Sequence, residues 1–441
     1  MKEPDGSSLT ERGAFSTHLR KFGNLFEAWH HVRSCARRSR SSAIREAAED
    51  FERRSHSALR GIQTRLAKHT YKFPAAEGLL KDKRKRELQN KPPRPIVLAD
   101  IESRIVQRAI LQCLQPKPDA PLAKLLKTLN AINASEANFG GTPNGGVPKA
   151  LKQAVLALGS GCTVFYKSDI ASFFTKVPHD AILEFLLVET RDQHFVDVFR
   201  DGINVQLKNA DELKKYLDLF PDNEIGVPQG SALSALSGNI FLHDIDCKMM
   251  TVPDIKFIRY IDDIIILARS NDALQKSKSF LTKELKKRSL SLYDPATHPD
   301  KAAEGSVRNG FEYLGCLIQK NQIEPAKLTK DKLLLTIGKE IQHAKGNILR
   351  VLTLPQSRRV REATYAKAVS NVDEIVRGWS NSFRFVNNRL PFQQLDKAIE
   401  KRITDFDCWF RSLNFSGSSE RMRAFGVFQV SDTEYGNIKD Y

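Results

Sequence analysis

An α+β fold, with a short antiparallel sheet set among many helices, is what this chain predicts, and three observations predict it. IKFIRYIDDIIILA, ending at Ala268, reads as two short strands joined near the acidic pair Asp262 and Asp263, a hairpin. TVFYKSDIASFF, Thr163–Phe174, reads as another strand, ending at Asp169 and running into a turn and a helix. Both ends of the chain carry apolar residues at three- and four-residue spacing, the period of amphipathic helices.

The other elements follow in order. Residues 24–70 predict helix, with eight arginines between Arg33 and Arg60; such a face is either merely solvated or turned toward nucleic acid. Between Lys81 and Asp100, seven Lys/Arg surround or precede a short apolar strand, and Pro92, Pro93 and Pro95 exclude a helix interior. IESRIVQRAILQCLQ has helical period, and NFGGTPNGGVPKALKQAVLAL is a Gly/Pro loop feeding a helix. Gly226, Pro228 and Gly230 predict a turn that lets backbone come close to a ligand. SALSALSGNIFL after it predicts a helix lined with small residues, suited to tight packing or to a flat partner such as a base pair. Behind the hairpin come an amphipathic segment, NDALQKSKSFLTKELKKRSL, a loop, and a strand pair around FEYLGCLIQ. From about Pro325 the chain reads as helical and basic.

A length of 441 residues allows two to four domains. The 69 Lys+Arg against 52 Asp+Glu leave a net charge of +17. That excess favours a polyanionic partner, since each neutralised phosphate releases counterions. Six scattered cysteines without C-x-x-C spacing imply neither a zinc site nor a disulfide framework, which fits a reducing cytosol. No apolar run approaches the roughly 20 residues that span a bilayer, and MKEPDGSSLTERG lacks the apolar segment of a signal peptide. A cytoplasmic location and no membrane partner are the expectation.

Two adjacent carboxylates at a hairpin tip need cations to offset their charge, because burying like charges side by side is unfavourable. Magnesium takes oxygen ligands from one or two carboxylates together with substrate phosphates. Two such ions, roughly 3.5–4 Å apart, clamp the attacking and leaving oxygens of an in-line phosphoryl displacement. That clamp needs a further carboxylate from another strand, and Asp169 is the candidate. A bare D-D pair is usually structural; the strand context and the second strand-end aspartate point to chemistry.

YIDD at Tyr260–Asp263, preceded by GVPQGSALS and by SDIASFF, resembles the palm signature of reverse transcriptases, with Asp262 lying 93 residues after Asp169. FEYLG, Phe311–Gly315, is similar to the primer-grip hairpin of that family, and RPIVLADIESRIVQRAIL resembles the fingers of retron and group II intron enzymes. The resemblance runs from about residue 20 to 410. It implies a right-hand polymerase: a basic helical region over 1–90 leading into fingers at 91–162, a palm at 163–324, and a helical thumb with C-terminal extension at 325–441.

The same resemblance implies roles for individual residues. Asp169 and Asp262 would be the principal ligands of two Mg2+ ions (Mn2+ as a substitute), with the Ile170 carbonyl contributing and Asp263 completing the set. Phe174 would be a steric gate against a ribose 2′-OH, favouring dNTPs. Gln229 would contact nucleotide and template, and Lys91 and Arg94 would grip the triphosphate. Lys301 would be a displaced proton-donor lysine, and Tyr313, Leu314 and Gly315 would support the primer end. Plainer readings stand beside these: core aromatic, turn residue, solvated basic run, strand core.

Two stretches depart from the pattern. SLSLYDPATHPDK stands where relatives carry an L-x-L-N-x-x-K-T-like stretch, and NQIEPAKL replaces the V-T-G of retrons. No zinc-bearing endonuclease, RNase H-like or integrase module is expected after the thumb. The chain therefore looks most like the stand-alone, defence-associated "unknown group" enzymes, which act against phage and often copy a partner noncoding RNA. RNA template, DNA product and dNTPs are the implied partners, and the oligomeric state stays open. A template-independent or protein-primed DNA polymerase, an RNA-directed RNA polymerase and an RNA-binding scaffold without catalysis are the rival readings.

Overall fold

The computed structural model describes residues 13–430 apart from 40, 89–91, 223, 321, 354–363 and 428. They divide into two compact units, one ending at Ser306 and one beginning at Val307. In the first, β1 (Glu77–Lys81) and β2 (Arg94–Leu98) form an antiparallel ribbon. β3 (Val164–Asp169), β4 (Ile255–Tyr260), β5 (Asp263–Ala268) and β6 (Ala302–Ser306) form an antiparallel sheet in the order β4-β5-β3-β6.

β5 is inner because its sequence permits nothing else. Successive residues of a strand point to opposite faces, and Ile264 to Ala268 are all buried, so both faces are covered. The Asn271–Lys286 helix packs across β3 and β5, while the Val147–Gly159 and Ser234–Met250 helices pack against β4. The helical reading of residues 24–70 takes the form of three helices, Phe22–Arg37, Ser42–Arg53 and Ser55–Ala67.

The β1–β2 ribbon is fastened to the turn at Gln229, whose carbonyl accepts the Val97 N–H at 2.9 Å. Gly230 has φ 116°, and a Cβ there would stand 2.8 Å from the Val97 carbonyl oxygen. Only glycine meets both demands. Gly230→Ala is therefore expected to cost more than about 1 kcal/mol, read as a lower midpoint in urea; an unchanged midpoint would show that the turn relaxes freely.

The second unit opens with a three-stranded antiparallel sheet: β7 (Phe311–Tyr313), β8 (Cys316–Gln319) and β9 (Gln322–Pro325). The strand pair expected around FEYLG thus has a third member, which Gln322–Pro325, short and half polar, does not announce. The boundary between compact units at Ser306/Val307 precedes residue 324, so these strands group with the helices that follow. Their hydrogen bonds explain why: β7 to β9 bond to one another, and the Ala326 N–H donates to the Gly315 carbonyl at 2.9 Å. The Lys327–Thr353, Tyr365–Ser382, Leu390–Arg411 and Ser418–Phe425 helices close around Ile337, Ile341, Ile348, Phe406 and Phe410.

Candidate active site

Strand register brings the acidic residues together. Asp169, last in β3, stands opposite Asp263, first in β5, and Tyr260 of β4 is paired with Asp263 on its other side. Ile261 and Asp262 make the tip, and the Ile170 N–H donates to the Asp262 carbonyl at 2.9 Å. Side chains from two separate stretches of sequence thus converge at one sheet end.

The tip has an unusual backbone. Ile261 has φ 63°, a left-handed conformation that a β-branched residue rarely adopts. A buried bracket holds it there. Arg259, 1% exposed, donates from Nη1 to the Ile261 carbonyl at 2.9 Å and to Asn239 Oδ1 at 3.0 Å. Its Nε donates to Asp246 Oδ1 at 2.8 Å, and its Nη2 to Asp246 Oδ2. Asn239 Nδ2 also donates to the Gly140 carbonyl at 2.9 Å. Gly140 lies so close behind the tip that a Cβ would stand 2.6 Å from the Ile261 backbone nitrogen. None of Arg259, Asp246, Asn239 or Gly140 stood out as a site residue in the sequence. The one available signal was an arginine in a largely apolar strand, Ile255–Tyr260, at a position that would be buried.

Electrostatics at the tip are strongly unfavourable to three bare carboxylates. Burial, then the charge of Asp169, pushes the Asp262 carboxyl above its ordinary value. Burial, then its hydrogen bond to Asp169 and the charges of both other aspartates, pushes Asp263 up to about 8. The Lys301 ammonium, beside β6, hydrogen-bonds Asp169 Oδ2. Burial works against its charge, but the Asp169 hydrogen bond and charge outweigh this and raise its pKa. One cation thus already offsets part of the acidic charge. Among the described residues, no three His, Cys, Asp or Glu side chains are placed to hold an ion as they stand. The donor chemistry nevertheless fits hard divalent cations: half-buried carboxylates forced together, with charge left to neutralise.

A pH dependence follows. Asp263 binds its proton more tightly folded than unfolded, so stability should fall as pH rises from about 4 to about 8. Asp263→Asn should flatten that slope in thermal unfolding with chelator; an unchanged slope would place the proton elsewhere.

The remaining predicted residues that the structure describes fall into three groups. Arg94, exposed at the start of β2, is near enough to favour the Asp262 carboxylate, and Gln229 is half-buried on the fastened turn. Phe174 packs partly buried on the core with its ring 5.4 Å from that of Phe173, and its carbonyl accepts the Val227 N–H at 2.7 Å. Tyr313, Leu314 and Gly315 belong to the second unit, where Leu314 (φ 48°) and Gly315 (φ 76°) make the two-residue turn between β7 and β8. Positive φ at both central positions is the geometry of a type I′ hairpin. Lys91 lies outside the described residues.

The family described as reverse transcriptase (RNA-dependent DNA polymerase) matches residues 81–318, the span that holds every one of these predicted residues. The chain belongs to the reverse transcriptase family. This reverse transcriptase is also 31% identical over 86 residues to an uncharacterized 91 kDa protein in a cob intron of Schizosaccharomyces pombe. That match covers 20% of the chain and only 10% of the fission-yeast protein. Among solved structures, telomerase from Candida albicans in complex with a TWJ fragment of telomeric RNA is 13% identical with TM-score 0.41, over 80% of this chain and 63% of that one. A Cas6-RT-Cas1–Cas2 complex is 20% identical with TM-score 0.32, over 61% of this chain and 25% of that one. No helix among the described residues is long and apolar enough to cross a membrane.

Proposed function

We propose that this reverse transcriptase copies RNA into DNA, with Asp169, Asp262 and Asp263 as its catalytic carboxylates. The observation that carries the proposal is the Asp169–Asp263 register beside Asp262, inside the segment that matches the family. Two Mg2+ ions, when bound there with the Ile170 carbonyl, would neutralise charge on the reacting phosphate. The primer 3′-oxygen attacks the α-phosphorus of a dNTP, and pyrophosphate leaves. Positioning and charge neutralisation supply most of the acceleration in such chemistry.

The chain's own residues divide that work. Arg94, with Lys91, holds the triphosphate, and Gln229 contacts nucleotide and template. Lys301 keeps its Nζ proton beside Asp169 and can pass it to the departing pyrophosphate. Tyr313 and the Leu314–Gly315 turn support the primer. Phe174 crowds a ribose 2′-OH. Phe174→Val is expected to raise the use of rNTPs relative to dNTPs roughly tenfold to hundredfold, measured by primer extension on an RNA template; an unchanged ratio removes Phe174 from the gate.

We also propose a partner noncoding RNA as template and antiphage defence as the role, on analogy with the stand-alone defence enzymes of this family. Sequencing nucleic acid that co-purifies with the chain tests this. One recurrent noncoding RNA and its cDNA are expected; an unselective sample of cellular RNA would overturn it.

A further inference from the structure

The N-terminal helices carry many arginines, and most have partners. Arg33 and Arg37 both pair with Glu52, at 2.5 and 3.1 Å, and Arg65 pairs with Glu102 at 2.7 Å. Arg104 and Arg108 do not follow this rule. They lie one turn apart on the Ile101–Leu114 helix, both half-buried. Among the described residues no carboxylate reaches ion-pair distance of either, and Arg108 Nε is buried without a hydrogen-bond partner. Glu27 is near enough to favour the Arg108 charge but does not pair with it.

Besides Glu27, the neighbouring helix and its C-terminal end bring an imidazole and a further guanidinium toward the pair. Asn24 Nδ2 donates to the Ala109 carbonyl at 3.3 Å and Gln112 Nε2 to the Asn24 carbonyl at 3.0 Å, which locks the Phe22–Arg37 helix against this one. In that register exposed His31 stands beside the pair, and its charged form is disfavoured by burial, then by Arg108, Arg38 and Arg104. Arg38 is exposed at the same rim, where its Nε donates to the Ser34 carbonyl at 3.0 Å and its Nη2 to the Ser34 hydroxyl at 3.3 Å. Half-burying two guanidiniums without an anion is unfavourable. Among the described residues only Cys35, and Glu27 for Arg108, favour these charges, and an anion from outside would offset the rest.

We propose that Arg104, Arg108, His31 and Arg38 form a slot for the sugar–phosphate backbone of nucleic acid. A guanidinium fork matches the oxygens of a phosphate in paired hydrogen bonds, and the net charge of +17 favours a polyanion. The inference does not rest on the catalytic reading, and its test is built to be separate from it.

The test measures binding by the full chain carrying Asp262→Ala and Asp263→Ala, in chelator, so that catalysis plays no part. Fluorescence anisotropy with labelled single-stranded RNA, hairpin RNA and single-stranded DNA gives affinity as a function of salt. Arg104→Gln/Arg108→Gln should lessen the slope of log affinity against log salt by about 1.4 on single strands. Between 50 and 200 mM salt the unsubstituted slot should therefore lose roughly sevenfold more affinity than the variant. Arg104→Lys/Arg108→Lys should keep the slope. His31→Glu, at an exposed position that leaves the core alone, should weaken RNA binding even if the glutamine variant misfolds. Parallel salt lines together with unaltered binding by His31→Glu would overturn the slot. Polyglutamate of matched charge, bound as tightly as RNA, would overturn its assignment to nucleic acid. The RNA and DNA arms decide which sugar the backbone carries.

Discussion

Asp262→Ala/Asp263→Ala should abolish magnesium-dependent dNTP incorporation, lowering it on the order of 10³-fold or more. The loss is expected to be this large because the tip exists to bring carboxylates against Asp169. Removing two of the three leaves Asp169 neutralised by Lys301, with little charge left to attract a divalent ion. The same substitutions should act on stability in the opposite direction. Burial and mutual repulsion disfavour both carboxylates in the fold, so the variant should melt at a higher temperature than the unsubstituted chain when metal is chelated. An inactive variant that is also more stable separates lost chemistry from lost folding. Equal incorporation by the two proteins would refute the assignment of the carboxylates.

Arg259→Met should destabilise the first unit by about 3–5 kcal/mol, the usual result of leaving one member of a buried pair uncompensated. Asp246, 3% exposed, would be left without its guanidinium. Asn239 and the Ile261 carbonyl would each lose a donor at the same time. Urea denaturation measures the loss. Adding Asp246→Leu should recover part of it, because an apolar pair of similar volume is often tolerated where a half-removed ion pair is not. Polymerisation should not recover with it, since the left-handed Ile261 would still lack its hydrogen bond. Full recovery of both stability and synthesis in the double variant would mean that the bracket plays no part in shaping the tip.

The hairpin was legible because its signal is local. Fourteen consecutive residues hold a largely apolar strand, two aspartates and another apolar strand, and no other element has that pattern. Asp169 was legible for the same reason, an aspartate closing an apolar run. Lys301 was visible as a residue but not as a partner, because its position depends on β6 pairing with β3 across more than a hundred residues. AAEGS, the sequence of β6, has no β-branched or aromatic residue to mark a strand. The bracket was hidden more deeply. Arg259 sits on a strand and Asp246 and Asn239 on a helix, while Gly140 comes from a loop 99 residues before Asn239. Periodicity reports which face of an element is apolar, and says nothing about which polar residues of distant elements share a burial site.

One amide has a mechanical consequence. Because the Val97 N–H hangs on the Gln229 carbonyl, the ribbon bearing Arg94 and the loop bearing Gln229 form a single lever. On the roles proposed above for Arg94 and Gln229, holding a nucleotide's phosphates and contacting its base would be coupled through that one amide.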